Sequence, residues 1–206
     1  MKGMFITLEG IEGAGKSSQL PKIKAFLEEQ GHLTLCLREP GGTPVAEEIR
    51  ILLKTKRQDD EITPLCELLL MYAARVQLVE TVIKPALADG VDVICDRHDL
   101  STVAYQGAGR KLSQELIAAL KKLVLGDFAP DLILLFDLSP QLGMMRIQNR
   151  GSSDRFESAS LAFFKRVREC YLKCAAENPE LIKTVDASQS EEALDRDIRR
   201  IIKRML

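Results

Sequence analysis

The chain has 206 residues, of which 46% are hydrophobic and 29% charged, and its formal net charge is −1. This balance is typical of a soluble globular protein, and the length predicts a single domain over residues 1–206. A nearly neutral chain with no apolar stretch of about 18 residues indicates neither nucleic-acid nor membrane binding. The five cysteines form no CxxC pair, which favours reduced thiols and a cytoplasmic location.

Short apolar runs alternate with longer amphipathic stretches along the chain. The runs predict strands at residues 4–8, 33–37, 91–95, 132–136 and 182–185. The stretches predict helices at residues 17–30, 44–54, 64–88, 113–124, 140–149, 161–176 and 190–206. Thr43 and Ser139 are predicted N-caps, and Ser188 with Glu191 fits a capping box for the last helix. This alternation predicts an α/β fold with a five-stranded, mainly parallel sheet flanked by helices.

A phosphate-binding loop follows the first predicted strand. Residues 10–17 read GIEGAGKS, which matches GxxxxGK[ST] and opens the first predicted helix. Glycines let backbone N–H groups converge on phosphate oxygens, Lys16 reaches the β- and γ-phosphates, and the Ser17 hydroxyl can bind Mg²⁺. The motif therefore predicts a P-loop NTPase fold that binds a nucleoside triphosphate with Mg²⁺. The candidate ATP-binding residues are Gly10, Gly13, Ala14, Gly15, Lys16, Ser17 and Ser18.

The loop alone does not say what the phosphate is used for. GTPase switches, ATPases and small kinases share it, although no clear NKxD guanine-reading motif is present and the chain is short for a motor. Single arginines near the ends of elements suit a kinase for a phosphorylated acceptor, because positive groups must converge on two polyanions. Arg75 stands out, since a guanidinium in an apolar helix is costly unless it is paired or functional. The other arginines of this kind are Arg38, Arg50, Arg97, Arg150 and Arg155.

Five segments in order resemble bacterial thymidylate kinases. They are FITLEGIEGAGKSS at 5–18, REPGGT at 38–43, YAARVQ at 72–77, DRHDLSTVAYQ at 96–106 and RGSSDRFE at 150–157. The resemblance implies a nucleoside monophosphate kinase type of fold with a lid at about 146–157. It implies Mg²⁺-dependent transfer of the γ-phosphate of ATP to dTMP, giving dTDP and ADP. It also implies a homodimer, formed through the long apolar helices.

The resemblance further implies a role for each matching residue. Glu12 would organise acceptor, metal and catalytic arginine, Arg75 would donate to thymine O4, and Tyr105 would lie near the sugar C2′. The catalytic candidates are Lys16, Glu12, Arg97, Arg150 and Arg155, and the metal candidates are Ser17 and Asp96. The candidate dTMP contacts are Glu12, Arg38, Pro40, Arg50, Met71, Tyr72, Arg75, Arg97, Thr102, Tyr105 and Gln106.

At two positions the residue of this chain can be compared with different types of family member. Some family members carry an arginine in the phosphate loop, where this chain has Gly13, so the catalytic arginine is expected in the lid as Arg150 or Arg155. The family usually has a phenylalanine stacked on thymine where this chain has Met71, with Tyr72 as an alternative base contact. This departure leaves open a deoxynucleoside monophosphate kinase with another acceptor base. A non-catalytic nucleotide-binding module is the alternative from another class.

Overall fold

The computed structural model describes residues 2–57, 59–149 and 155–206, and these form one parallel sheet with helices packed against it. The strands are β1 (Phe5–Glu9), β2 (Thr34–Arg38), β3 (Asp92–Asp96), β4 (Leu132–Asp137) and β5 (Ile182–Asp186). Their order across the sheet is β2-β3-β1-β4-β5, and every neighbouring pair is parallel. The predicted α/β class and five-stranded sheet are confirmed.

Helices connect the strands. They are α1 (Lys16–Glu29), α2 (Pro44–Lys54), α3 (Pro64–Leu78), α4 (Lys84–Ala88), α5 (Asp99–Thr102), α6 (Gln114–Leu125), α7 (Pro140–Gln148), α8 (Leu161–Glu177) and α9 (Glu191–Ile202). Two π-helical segments, Val79–Ile83 and Val103–Gly109, follow α3 and α5. The predicted helix 64–88 is therefore continuous but changes its hydrogen-bonding pattern midway. The stretch from α5 through the second π-helical segment is helical, and no helix was predicted there.

Hydroxyl side chains begin several of these helices. Thr43 accepts a hydrogen bond from the N–H of Ala46, and Ser139 caps α7 in the same way, as predicted. The predicted capping box at Ser188 is wrong, because α9 begins at Glu191 and Ser190 is its N-cap. The Ser188 hydroxyl instead donates to Asp186 at 2.6 Å.

The centre of the sheet places two chain segments side by side. All five residues of β1 are buried, and its Leu8 is in register with Asp96 of β3. The next residue, Arg97, continues this ladder by donating its backbone N–H to the Leu8 oxygen at 2.9 Å. Because both strands end at one edge, the phosphate loop after β1 and the Arg97 side chain after β3 face the same space. Among the described residues, none of the helices has the length and apolarity to cross a membrane.

Candidate active site

A cavity of about 580 Å³ lies at the carboxyl edge of the sheet. The phosphate loop forms one end, and α3 with the segment after β3 forms the other. The predicted site residues that line it are Glu12, Gly13, Ala14, Gly15, Lys16, Ser17, Ser18, Arg38, Pro40, Arg50, Met71, Arg75, Asp96, Arg97, Thr102, Tyr105 and Gln106. Most of the predicted nucleotide and acceptor contacts therefore meet in one cavity.

The phosphate loop has the backbone conformation that its glycines permit. Gly13 has a φ of 76°, and a Cβ atom there would lie 2.7 Å from the backbone oxygen of Gly143 in α7. Gly15 has a φ of 84°, and a Cβ atom there would meet nothing within 4 Å. The loop thus packs closely on one side and leaves space before the N-terminus of α1, where a phosphate group can approach the free N–H groups.

Lys16 is held inside this loop. Its Nζ donates to the backbone oxygens of Gly10 and Ile11, at 2.9 Å each, so Gly10 contributes through its carbonyl and does not line the cavity. Burial, and then the nearby charge of Arg97, lowers the pKa of the Lys16 ammonium to about 8. An anionic ligand would restore the ordinary preference for the charged form.

Ser17 and Asp96 form an oxygen-rich corner beside the lysine. The Ser17 hydroxyl donates to Asp96 Oδ2 at 3.0 Å, while Asp96 Oδ1 is buried without a hydrogen-bond partner. A hydroxyl and a carboxylate with a vacant oxygen fit Mg²⁺, which keeps several waters and binds mostly through nucleotide phosphates. The described residues contain no group of three or more acidic, histidine or cysteine side chains that could hold a metal ion.

Arg97 spans the space between the loop and α5. Its Nη2 lies 2.9 Å from Glu12 Oε1, and its Nη1 donates to Gly10 O at 2.9 Å and to Ser101 Oγ at 3.1 Å. Arg97 has a φ of 75°, which is unusual for a residue with a side chain. Its guanidinium also lies over the ring of Tyr105, at 4.9 Å from the centroid. The arginine is thus fixed with its charge at the middle of the cavity.

The buried carboxylate of Glu9 holds together the residues around Arg97. Glu9 accepts hydrogen bonds from the N–H of His98 at 2.8 Å, from Ser101 Oγ at 2.6 Å and from the Tyr171 hydroxyl at 3.0 Å. Burial raises the pKa of Glu9 above its ordinary value, although these donors oppose the rise. The three contacts join β1, α5 and α8 directly beneath Arg97.

The far end of the cavity is organised around Arg75, which is 2% exposed. Its Nε donates to Glu39 Oε2 at 2.7 Å, its Nη1 to Thr102 Oγ1 at 2.9 Å and its Nη2 to the His98 oxygen at 3.1 Å. The Nη1 also lies 3.5 Å from Asp99 Oδ1. Burial alone would raise the pKa of Glu39, but the Arg75 charge lowers it below the ordinary value. The predicted pairing of this arginine is therefore found, and Arg75 also lines the cavity.

Met71 and Tyr72 face different surroundings. Met71 lines the cavity one helical turn before Arg75. Tyr72 is 2% exposed and packs in the core, where its hydroxyl donates to Asp99 Oδ1 at 2.9 Å. Of the two alternative base contacts, the structure brings only Met71 to the cavity.

Arg150 and Arg155 are the two arginines of the predicted lid. Arg150 lies outside the described residues. Arg155 does not line the cavity: its Nη2 lies 2.6 Å from Glu67 Oε2, and its Nε donates to the Leu53 oxygen at 2.9 Å. These contacts join Arg155 to α2 and α3.

Sequence reasoning missed part of the cavity wall. Arg146 donates to the backbone oxygens of Gly13 and Ala187, at 3.1 Å each, and so connects α7, the phosphate loop and the segment after β5. The rule that ligands bind at the carboxyl ends of parallel strands could have indicated the segment after β5. The lining residues that were not predicted are Gln19, Glu39, Lys54, Ser101, Arg146, Phe156, Glu157, Ala187, Gln189, Glu191 and Leu194.

Comparison with known proteins assigns the family. A family model described as thymidylate kinase matches residues 8–198. A thymidylate kinase of Idiomarina loihiensis is 48% identical over 206 residues, which is 100% of both chains. The crystal structure of thymidylate kinase from Ehrlichia chaffeensis superposes with a TM-score of 0.79 at 31% identity, covering 98% of this chain and 100% of that one. The chain therefore belongs to the thymidylate kinase family of phosphotransferases, and its function is that of a dTMP kinase.

Proposed function

We propose that the chain binds ATP on its phosphate loop and dTMP between Arg97 and Arg75, and that the γ-phosphate passes directly between them. The observation that carries this assignment is that one cavity contains both the phosphate loop and the Arg75 end. An oxygen of the dTMP phosphate would attack the γ-phosphorus in line. Because that phosphate is already anionic, positioning and charge neutralisation supply most of the catalysis.

Hydrogen-bonding groups at the far end fit thymine. Arg75 has an N–H available, and Gln106 beside it lines the cavity with an amide whose nitrogen donates to Glu67 at 2.6 Å. The Gln106 oxygen is then the atom that can accept from a ligand. A donor beside an acceptor matches O4 and N3–H of thymine, whereas cytosine presents the reverse pattern. Thr102 and Met71 complete the base pocket in this proposal.

Positive groups would neutralise the reacting phosphates. Lys16 would contact the ATP phosphates, while Arg97 would grip the phosphate of dTMP with Arg38, Arg50 and the Pro40 turn around it. Arg50 Nη1 already donates to the Pro40 oxygen at 2.7 Å, which holds that turn.

Mg²⁺ and the lid would complete the donor side. Ser17 and Asp96 would hold the ion, which neutralises charge on the β- and γ-phosphates when it is bound. Residues 146–157 would act as a lid that excludes water from the reaction. Arg150 is the lid arginine proposed to reach the ATP phosphates. Arg155 would have to leave Glu67 to do so.

Tyr105 would select the sugar. Its hydroxyl donates to Glu12 Oε2, and its ring is covered by Arg97 on one side. A ring fixed in this way next to the acceptor site leaves little room for a 2′-hydroxyl. We therefore expect deoxyribonucleotides to be preferred over ribonucleotides.

We also propose a cytoplasmic homodimer. Leu65 and Leu69, four residues apart on α3, are 47% and 50% exposed, and Leu116 and Leu123 of the adjacent α6 are also exposed. A second copy covering this apolar face would account for its composition. All five cysteines are free of disulfides, which suits a reducing compartment.

The test is ADP release from Mg·ATP with dTMP, dUMP, dCMP, dGMP, UMP or no acceptor. We expect strong stimulation by dTMP, a weaker response to dUMP and little response to the others. Uracil lacks only a methyl group, which is worth about 1–3 kcal/mol. Stimulation by a different monophosphate would replace thymine as the proposed acceptor base. Turnover without an acceptor would contradict the phosphotransfer mechanism.

A further inference from the structure

Glu67 is a buried carboxylate that no step of the proposed reaction uses. It lies on α3, two turns before Arg75, and is 1% exposed. A carboxylate at this depth is costly unless positive charges and hydrogen-bond donors surround it. Its partners therefore indicate why the chain keeps it there.

Three side chains from two segments converge on this carboxylate. Gln106 Nε2 donates to Oε1 at 2.6 Å, and Arg110 Nε donates to the same oxygen at 3.2 Å. Arg110 Nη2 and Arg155 Nη2 lie 3.2 Å and 2.6 Å from Oε2. Guanidinium groups can only donate hydrogen bonds, so Oε1, which accepts from Arg110 Nε as well as from Gln106 Nε2, acts as an acceptor.

The acceptor role of Glu67 Oε1 fixes which way the Gln106 amide points. If the amide were flipped, its oxygen would lie 2.6 Å from a carboxylate oxygen, and the two acceptors would repel each other. The amide nitrogen must therefore face Glu67. The amide oxygen is then directed away from it and remains available in the cavity that Gln106 lines.

The same carboxylate reaches the end of the lid. Arg155 lies on the far side of Glu67 from Gln106, and its backbone and side chain also contact the last turn of α2. Arg155 covers the ring of Phe156, and Phe156 lines the cavity. Gln106 at the base end of the cavity and Arg155 near the end of the proposed lid thus share one buried carboxylate.

We propose that Glu67 is a positioning residue for base recognition: it holds the Gln106 amide with its oxygen toward the acceptor base and anchors the lid through Arg155. This inference rests on the proposed placement of thymine beside Gln106. Its consequence is that the preference for dTMP over dCMP depends on a side chain that touches neither nucleotide.

The test compares Glu67→Gln with the wild-type chain. Glutamine keeps the shape of glutamate but offers both a donor and an acceptor, so the Gln106 amide is no longer forced into one direction. We expect the ratio of kcat/KM for dTMP to kcat/KM for dCMP to fall about tenfold, mainly through the KM for dTMP. Glu115→Gln, at an exposed carboxylate on α6, is the matched control and should leave the ratio unchanged.

A double-mutant cycle separates positioning from stability. In a Gln106→Ala background, Glu67→Gln should have no further effect on the dTMP/dCMP ratio, because the amide it orients is gone. A lowered melting temperature with an unchanged ratio in Glu67→Gln would overturn the proposal and leave Glu67 a structural residue. If Glu67→Gln does not fold, Glu67→Asp is used instead, because it withdraws the carboxylate by one methylene. An unchanged dTMP/dCMP ratio in that variant would equally overturn the proposal.

Failure of the underlying function has a different signature. A wild-type chain without preference for dTMP would refute the base assignment itself, and the role of Glu67 with it. A Gln106→Ala variant that keeps the wild-type ratio would remove Gln106 from the base pocket. In the expected result, both Gln106→Ala and Glu67→Gln lower the ratio.

Discussion

Arg97 and Glu12 join the two halves of the reaction site, with Arg97 Nη2 lying 2.9 Å from Glu12 Oε1. One residue follows the central strand β3, and the other belongs to the phosphate loop. Glu12 also accepts a hydrogen bond from Tyr105, which lies under the Arg97 guanidinium. The phosphate loop and the segment after β3 are therefore joined by one ion pair and by the Tyr105 side chain.

Arg97→Lys should lower kcat/KM for dTMP about 10²–10³-fold, because an ammonium cannot span Glu12 and an acceptor phosphate at once. The measurement is steady-state phosphotransfer, with circular dichroism to establish folding. Arg168→Lys is the control, since Arg168 also pairs with a carboxylate, Asp137, at 2.6 Å but does not line the cavity. Near-normal turnover in Arg97→Lys would contradict the proposed role.

The lowered pKa of Lys16 should appear in the pH profile. Since free Lys16 loses its proton near pH 8, kcat/KM for ATP should fall above about pH 8. The fall in kcat should occur at a higher pH than the fall in kcat/KM, because the phosphates of bound ATP stabilise the charged form of Lys16. Lys16→Arg should turn over more slowly, but its kcat/KM for ATP should no longer fall near pH 8. A fall near pH 8 that persists in this variant would refute the assignment to Lys16.

Lys16 should also affect stability in the nucleotide-free protein. Its pKa in the folded chain, about 8, lies below the value of about 10.4 in the unfolded chain. The unfolded state then binds more protons between these values, so this group makes the free energy of unfolding rise with pH across that window. Urea unfolding at pH 8 and 10, compared with Lys16→Met, measures this contribution.

Arg75→Ala should destabilise the protein by about 3–5 kcal/mol at pH 7, because Glu39 and Asp99 become buried charges without their main partner. In the wild type, burial alone would raise the pKa values of Glu39 and Asp99. The charge of Arg75 outweighs this effect, so the pKa values of both carboxyls are lowered. Their stabilising contribution is present above about pH 4 and is lost as pH falls further.

Without Arg75, burial would raise the pKa values of both carboxyls, and mild acid would neutralise them. The destabilisation caused by Arg75→Ala should therefore be smaller at pH 5 than at pH 7 in urea unfolding. An equal loss at both pH values would argue against this buried ion-pair account. The wild type and the variant share the other side chains that contact these carboxyls, which are His98, Tyr72 and Lys121.

Met71→Phe should lower the KM for dTMP about two- to tenfold, because an aromatic ring can stack on the base where a thioether cannot. Tyr72→Phe should leave that KM unchanged but lower the free energy of unfolding by about 1–3 kcal/mol, since Asp99 loses a buried donor. The two variants are compared by steady-state kinetics and urea unfolding. A changed dTMP KM in Tyr72→Phe would return Tyr72 to the base pocket.

Combined Leu65→Glu and Leu69→Glu substitutions should convert a dimer to a monomer, because they place charges on the exposed face of α3. Sedimentation velocity at several concentrations measures the change. Leu33→Glu, at a leucine that is 69% exposed and lies just before β2, should leave the dimer intact. A wild-type chain that sediments as a monomer at tens of micromolar would refute the proposed association.

Prediction from the sequence succeeded where local pattern and general topology suffice. The strands agree with the predicted runs within about one residue at most ends, and the carboxyl-edge rule placed Arg38 and Arg97 at the cavity. The choice between Met71 and Tyr72 depends on the rotational phase of α3, which tertiary packing sets. The role of Glu67 depends on contacts with residues about 40 and 90 positions away, and no spacing along the chain indicates them.

The left-handed backbone of Arg97 bears on how this chain tolerates stabilising change. A φ of 75° costs a residue with a side chain about 1–3 kcal/mol, and glycine avoids this cost. Glycine at position 97 would relieve this backbone strain, but it would remove the charge that pairs with Glu12 and that is proposed to bind the acceptor phosphate. The backbone strain at position 97 is therefore tied to the side chain that the reaction is proposed to use, and variants that relax this strain are expected to lose turnover whatever their melting temperature.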